Sequence, residues 1–309
     1  MPSLGGATEW INSAPLGPAE LRGSVVLVNF WTLTCINWLR QEPYVRAWSQ
    51  AYRHDGLIVV GVHTPEFSFE HQLGQVRRAV EVRNIGYPVA LDNDYAIWSA
   101  FDNHYWPALY FVDVDGFIRD EHFGEGRYEE SERVIQRLLG IDRELVAVEG
   151  LGVEAAADWA DLRTPETYLG YRRTAPSEFP VGAAYDKRHA YQPPEWLPLN
   201  EWALSGEWTI GPENVVLGRA GGKIAFRFHA RDAHLVLSSG EPEPIPFRVL
   251  LDGQAPGAAH GVDVDEQGNG QLRDGRLYQL VREHGPVREQ TLEITFLEPG
   301  AESYAFTFG

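Results

Sequence analysis

Only one cysteine, Cys35, occurs in the 309 residues of this chain. A single thiol can form no intramolecular disulfide and no multi-thiolate zinc site, so neither kind of staple holds this protein together. Lysine is almost as scarce. Of 26 lysines and arginines only Lys187 and Lys223 are lysine, against 44 acids, and the net charge is −18. That balance favours solubility. It also argues against nucleic acid, since no basic patch is visible, and against an anionic membrane surface. No run approaches the roughly 18 apolar residues that span a bilayer, so no transmembrane segment is expected. Met1-Pro2-Ser3-Leu4-Gly5-Gly6 has neither the basic nor the apolar region of a secretory signal. A complete chain of this kind is expected in the cytoplasm. A fragment of a larger membrane-anchored protein would instead be extracytoplasmic. The ten histidines show no HExxH-type spacing and no glycine loop is built to cradle phosphate, so no metal and no cofactor are expected.

What is present suggests two domains, the natural division for this length. In the first, Ser24 to Thr32 (SVVLVNFWT) and Leu57 to Val62 (LIVVGV) are unbroken apolar runs, as in strands buried on both faces. Between them Cys35 to Tyr52 has a helical pattern with Leu39, Val45, Trp48 and Tyr52 on its core side, and Pro43 should kink it. A second helix is expected over Glu70 to Arg83 and a last one from Tyr128 to Leu139. Ala108 to Asp113 and Phe117 to Phe123 flank Asp115-Gly116, a hairpin signal. The order is that of an α/β domain with parallel strands and one antiparallel hairpin, over residues 1–145.

Residues 146–199 read as linker and packing segments, with Thr164-Pro165-Glu166 shaped like a helix start. Residues 200–309 change character. WALSGEWTIG, KIAFRFHA, HLVLSS, FRVLLDG, RLYQLV, TLEITFL and SYAFTFG are short alternating segments separated by turn residues. They predict an all-β antiparallel sandwich of the jelly-roll kind.

Cys35 directly follows the first buried strand and opens a helix, where amide groups and the helix dipole favour a thiolate. Here the sequence resembles a known group. VVLVNFWTLTC, the kinking proline and WPALYFVD are similar to the thioredoxin superfamily, in particular to the bacterial thiol–disulfide oxidoreductases of the TlpA/ResA type. NFWTLTCIN, GVHTPEF, YPVALDNDYAIW, YWPALYFVD and HFGEGRYEESERVIQ resemble the C-terminal part of DipZ proteins. The likeness covers about residues 8–140 and continues more weakly through TPETYLGY. It implies a thioredoxin fold followed by a sandwich resembling carbohydrate-binding modules.

The resemblance also implies a Cys-x-x-Cys site, from which this chain departs. Its motif is Cys35-Ile36-Asn37-Trp38, with tryptophan at the resolving position. Asn29 stands where thioredoxins place a buried aspartate, and Gln41, beside Glu42, stands where ResA-like proteins often place a glutamate. A one-cysteine site cannot cycle between dithiol and disulfide within one molecule, but it can form a mixed disulfide. Trp38 lies on the same helix face as Cys35, as a packing residue over a dead site or as a wall of a repurposed pocket. Pro107 resembles the family's cis-proline opposite the catalytic cysteine. Trp106 and Trp31 would then flank a groove, or pack in the core.

Other signals are weaker. Thr32 precedes Cys35 by three residues, as in peroxiredoxins, but Val28 replaces their proline. Asp263, Asp265 and Asp274 partly mimic a calcium loop, and a polar hairpin explains them better. His63 closes the second strand at the end where such sheets bind ligands. Trp196, Trp202 and Trp208 suit sugar stacking or, more simply, core packing. Two functions remain open. One is a single-cysteine enzyme at Cys35, exchanging with protein or small-molecule thiols and disulfides. The other is a redox-inactive scaffold that binds a peptide, a partner or, at the sandwich, carbohydrate. The oligomeric state is open.

Overall fold

A computed structural model describes residues 1–150, 152–175, 179–180 and 182–309. Residues 151, 176–178 and 181, all in the 146–199 stretch, lie outside the described residues. The chain divides into two compact units, Met1–Ala155 and Ala156–Gly309.

In the first unit a six-stranded sheet runs in the order β1-β4-β3-β2-β5-β6. These strands are β1 (Glu9–Ile11), β2 (Val25–Trp31), β3 (Leu57–His63), β4 (Val89–Leu91), β5 (Ala108–Val112) and β6 (Ile118–Phe123). The apolar runs become the central parallel pair, with every residue of β2 buried and Trp31 opposite His63 at its end. Leu27 and Val28 are wholly buried; such a side chain contributes roughly 1.5–3 kcal/mol. β5 joins β2 antiparallel, and the Asp115-Gly116 turn returns the chain as β6. Gly116 has φ +86°, a left-handed conformation that glycine takes without steric cost.

Among the described residues this unit has the α-helices α1 (Pro18–Leu21), α2 (Ile36–Ala51), α3 (Leu73–Val82) and α4 (Ala96–Ala100) between its strands and α5 (Tyr128–Leu139) after β6. Helix α2 spans Pro43 within one 16-residue helix. The missing N–H there only leaves the Leu39 carbonyl without its usual helical donor. The expected helix from Glu70 begins later. Ser68–His71 form a 3₁₀ turn and α3 starts at Leu73, because Glu70 turns inward to accept hydrogen bonds.

The second unit is antiparallel throughout its named ladders. β7 (Thr167–Tyr168) and β8 (Arg188–Tyr191) are followed by β9 (Trp202–Ile210), β10 (Val215–Leu217), β11 (Lys223–His229), β12 (Asp232–Ser239) and β13 (Ile245–Leu251). β14 (Asn269–Leu272), β15 (Arg276–Arg282), β16 (Glu289–Phe296) and β17 (Ala301–Phe308) complete it. The strand order is β14-β13-β16-β11-β9-β10-β17-β12-β15, with β7 on β17 and β8 on β9. β9 serves two layers: Trp202–Ser205 pair with β11, and Trp208–Ile210 pair with β10. Between them Gly206 has φ +95° and passes so close to Gly222 that a Cβ would meet its Cα at 3.0 Å. Alternation carries the core. Phe226 and Phe228 of β11 and Ile294 and Phe296 of β16 pack with Leu235, Leu237, Phe306 and Phe308 from the other layer.

Thr164-Pro165-Glu166 starts no helix. The Thr164 hydroxyl accepts the His229 amide at 2.7 Å, and Thr167–Tyr168 add to β17 as β7. Long-range strand pairing overrides the local cap signal.

Candidate active site around Cys35

β2 ends at Trp31, and the chain crosses Thr32-Leu33-Thr34 to reach α2. Cys35 is the N-cap of that helix, with φ −69° and ψ 113°, and its carbonyl accepts the Leu39 amide. The cysteine and Asn37 are half-buried, while Thr32, Leu33, Thr34, Ile36 and Trp38 are buried. The Trp106–Pro107 peptide is cis. The Trp106 carbonyl lies 3.7 Å from the Cys35 sulfur. The half-buried Trp106 ring rests against Trp98 at 4.4 Å, and beside it Tyr105 is exposed. The structure therefore gathers Cys35, Trp106 and Pro107, with the cysteine half-buried among them.

Trp31 and Trp38 go elsewhere. Trp38 is wholly buried and stacks on Trp31, with centroids 4.2 Å apart and planes 19° from parallel. The Arg83 guanidinium sits 5.6 Å from the Trp38 ring on the same stack, a cation–π contact. His63 meets Trp31 edge-on at 4.7 Å. Trp31 thus lies in the interior and not beside a groove. It fits because residue 61 is glycine: a Cβ there would come within 2.9 Å of the Trp31 indole nitrogen.

Below the stack, the positions that the sequence marked as departures bond to one another. The Trp38 indole donates to Asn29 Oδ1 at 3.3 Å. Asn29 Nδ2 donates to Gln41 Oε1 at 2.8 Å, and Gln41 Nε2 donates to the Gly124 carbonyl at 3.2 Å. All three side chains are buried and neutral, and every one has a partner. The chain of bonds carries no titratable group, so it cannot relay a proton to or from Cys35 by ionising.

His63, Glu42 and Glu70 are among the titratable groups buried near this framework. Burial lowers His63 to about 3, helped by the charge of His71. Neither of its ring nitrogens has a hydrogen-bond partner among the described residues. Burial raises Glu42 to about 7, against the opposing pull of Arg46 and Arg83. Arg46 lies 3.1 Å from Glu42 Oε2 but out of hydrogen-bond alignment, so it offsets charge without a directed bond. Burial also raises Glu70 to about 7, with the charge of Glu66 adding to it and bonds from Thr34 and Phe67 opposing it.

Glu70 is the residue that sequence reasoning placed only as a helix start. Its Oε1 accepts the Thr34 amide at 3.2 Å and the Thr34 hydroxyl at 2.7 Å. Its Oε2 accepts the amides of Glu66 and Phe67 at 2.6 and 2.9 Å. The available signal was an acid three residues after an N-cap position, from which a carboxylate can reach back to the N-cap amide as Glu70 does to Phe67. Nothing local to the sequence pointed across to Thr34.

In the second unit the candidate ligand residues are largely occupied by the fold. Trp202 and Trp208 are core, and Trp196 is exposed with the Arg227 guanidinium 5.6 Å from its ring. Asp265 closes a turn by accepting the Gln267 and Asn269 amides, and Asp263 pairs with Arg276. Among the described residues no group of three or more His, Cys, Asp or Glu is arranged to hold a metal ion.

Two family models match the chain. Residues 12–121 match the AhpC/TSA family and residues 164–309 match the thioredoxin like C-terminal domain. The chain is 36% identical over 261 residues to protein DipZ of Mycobacterium tuberculosis, covering 80% of this chain and 37% of that protein. It thus spans well under half the length of that relative. It is 29% identical over 139 residues to the thiol-disulfide oxidoreductase YkuV of Bacillus subtilis, covering 45% of this chain and 93% of that one. Among solved structures, a thioredoxin-like protein in the oxidized form is 30% identical, with a TM-score of 0.42, over 45% of this chain and 94% of that one.

Proposed function

The chain belongs to the thioredoxin superfamily, and on that premise we propose that it works as a single-thiol member, capturing a partner in a mixed disulfide at Cys35. The observation that supports this reading is the placement of the sulfur. Cys35 is the half-buried cap of α2, 3.7 Å from the carbonyl that precedes cis-Pro107, while Trp38 is packed away into the interior. Helix-terminal amides favour the thiolate, which is the attacking species. The Cys35 thiolate attacks one sulfur of a partner disulfide. A bond forms between that sulfur and Cys35, and the other partner sulfur leaves as thiolate. No second thiol in this chain can resolve the adduct. An external thiolate then attacks the partner's sulfur, regenerates Cys35 and carries the partner away as a new disulfide. The electron balance closes without a further oxidant.

A second reading, a redox-inactive scaffold that binds a peptide or partner, draws support from the neutral Trp38–Asn29–Gln41 chain of bonds. Of the three tryptophans proposed to stack on carbohydrate at the sandwich, Trp196 is the one that is exposed. One experiment separates thiol chemistry from scaffold. The native protein is incubated with glutathione disulfide and followed by intact mass, with Cys35→Ser as control. A single glutathione adduct that dithiothreitol removes supports the first reading. A native thiol that stays unmodified, and reacts only after unfolding, overturns it.

A further inference from the structure

We propose that Glu70 is a positioning residue for Cys35: its carboxylate ties Thr34, and with it the peptide that leads into Cys35, to the loop that follows β3. The inference rests on the reading of Cys35 as the reacting thiol.

The tie joins two loops at the same end of two adjacent parallel strands. β2 and β3 run side by side to Trp31 and His63, and the chain leaves each into a loop that must turn away from the sheet. In one loop the Thr34 amide and hydroxyl point to Glu70 Oε1. In the other the amides of Glu66 and Phe67 point to Glu70 Oε2. Four donors meet one wholly buried carboxylate. Each oxygen takes two, which fills the roughly four acceptor sites of an ionised carboxylate. Above about pH 7 the Glu70 carboxylate is charged, and bonds to a charged acceptor are shorter and stronger than neutral ones, so there this junction holds its loops more firmly than a hydroxyl or amide would.

The consequence for Cys35 is geometric. Thr34 is its immediate neighbour, and the Thr34 side chain and amide are both fixed. The backbone of Cys35 therefore enters α2 from a defined direction, with its amide also bonded to the Thr32 carbonyl at 3.3 Å. The Cys35 side chain makes no cap hydrogen bond to α2, so what it gains there comes from the positive end of the helix dipole, and only while that entry angle holds. A loosened loop would let the sulfur leave the end of the helix, and the thiolate would lose its stabilisation. Glu70 touches neither the sulfur nor a substrate, so its role is exerted through Thr34.

The experiment uses the full chain and three variants. Thr34→Val keeps the carboxylate and its charge and removes one donor. Glu70→Gln removes the charge and puts an amide N–H against two donors. Glu132→Gln is the control, a buried carboxylate elsewhere in the unit that accepts from Trp48 and Val146. Two readouts are taken on folded protein: the iodoacetamide rate of Cys35 at pH 8.5, where Glu70 is ionised, and hydrogen exchange of the peptide covering residues 32–38. Thr34→Val should slow alkylation by about threefold and Glu70→Gln by about tenfold, both with faster exchange in that peptide. Because both act on one tie, the double variant should be no slower than Glu70→Gln alone. Glu132→Gln should move neither readout even if it lowers Tm.

Faster exchange with an unchanged alkylation rate would make Glu70 a purely structural clamp and overturn the proposal. So would unchanged exchange, or faster alkylation in Glu70→Gln, which would point to charge removal alone. A wild-type thiol that is inert while folded overturns the reading of Cys35 itself, whereas a reactive thiol indifferent to Glu70 and Thr34 overturns only the positioning role.

Discussion

Trp38 lies face to face on Trp31, their centroids 4.2 Å apart, and its indole nitrogen reaches back 3.3 Å to Asn29. The tryptophan three residues after Cys35 is therefore a core residue with a hydrogen bond. A ring held in that way cannot also cover the sulfur by swinging outward without giving up both contacts.

This makes the response of Trp38 variants a matter of stability. Trp38→Ala should cost about 3–5 kcal/mol, as other large-to-small changes at buried aromatic sites do. Trp38→Phe keeps a ring on Trp31 but loses the indole bond and leaves buried Asn29 Oδ1 without that donor, for about 1–3 kcal/mol. In Trp38→Phe the alkylation rate of Cys35 should stay within about twofold of wild type, since a buried packing change of this size rearranges little around it. Thermal unfolding and iodoacetamide kinetics measure the two effects. A Phe variant that reacts much faster at unchanged Tm would mean that the indole screens the thiol after all.

Replacing Trp38 by cysteine tests whether the helix start still has the geometry of a two-thiol site. Positions 35 and 38 share a face in the first turn of α2, close enough for two sulfurs to bond without large backbone movement. Trp38→Cys should lose both of its thiols on mild oxidation, although the emptied space beside Trp31 lowers its Tm. If intact-mass alkylation still counts two thiols after oxidation, the first turn is not arranged as that site requires.

The long apolar runs were readable because a strand buried on both faces leaves no polar residue to confuse the pattern. β2, β3 and the alternating β11 and β16 follow directly from it. The elements that escaped are short and owe their form to partners far away in the chain. β4 is three residues, β10 is three, and β7 exists because Thr167–Tyr168 find the edge of β17. The site divides in the same way. Cys35 and cis-Pro107 stand in recognisable local contexts, whereas the stack of Arg83, Trp38 and Trp31 draws on α3, α2 and β2 together. Asn29 and Gln41 could be seen as neutral in the sequence. That they bond to each other, and to Trp38, required the fold.

Asn29→Asp would place a carboxylate in the middle of that neutral chain. The Trp38 indole could still donate to it, but Gln41 Oε1 now faces it as an acceptor and would have to turn over, abandoning the Gly124 carbonyl. Burial should raise the new acid above its unfolded value of about 3.9. An acid raised on folding contributes its stability at low pH and loses it as pH climbs from the unfolded to the folded pKa. The variant should therefore fall further below wild type as pH rises, by about 1.4 kcal/mol for each unit of elevation. Tm differences recorded from pH 4 to 8 give the slope, and a difference that does not change with pH would show that the introduced carboxyl ionises freely.

His63 should make the first unit sensitive to acid. It is wholly buried against Trp31, and burial holds its pKa down at about 3 against an ordinary 6.5. Below pH 6.5 the unfolded chain takes up a proton at this histidine and the folded chain does not. Stability therefore falls as pH drops, across the window from 6.5 to 3. The full cost over that window is on the order of 4–5 kcal/mol at 1.36 kcal/mol per pH unit. Wild type alone would blur this, because Glu42 and Glu70 are raised to about 7 from 4.5 and act with the opposite sign between those values. Comparison with His63→Leu removes them, since both acids are present in each protein. At neutral pH the difference in Tm reports only packing and the two ring nitrogens, which lack partners among the described residues. As pH falls from 7 to 4 the difference should move steadily in favour of His63→Leu. A constant difference would mean that the imidazole is protonated in the folded protein as readily as in the unfolded one, and that some group or water within the fold receives its charge.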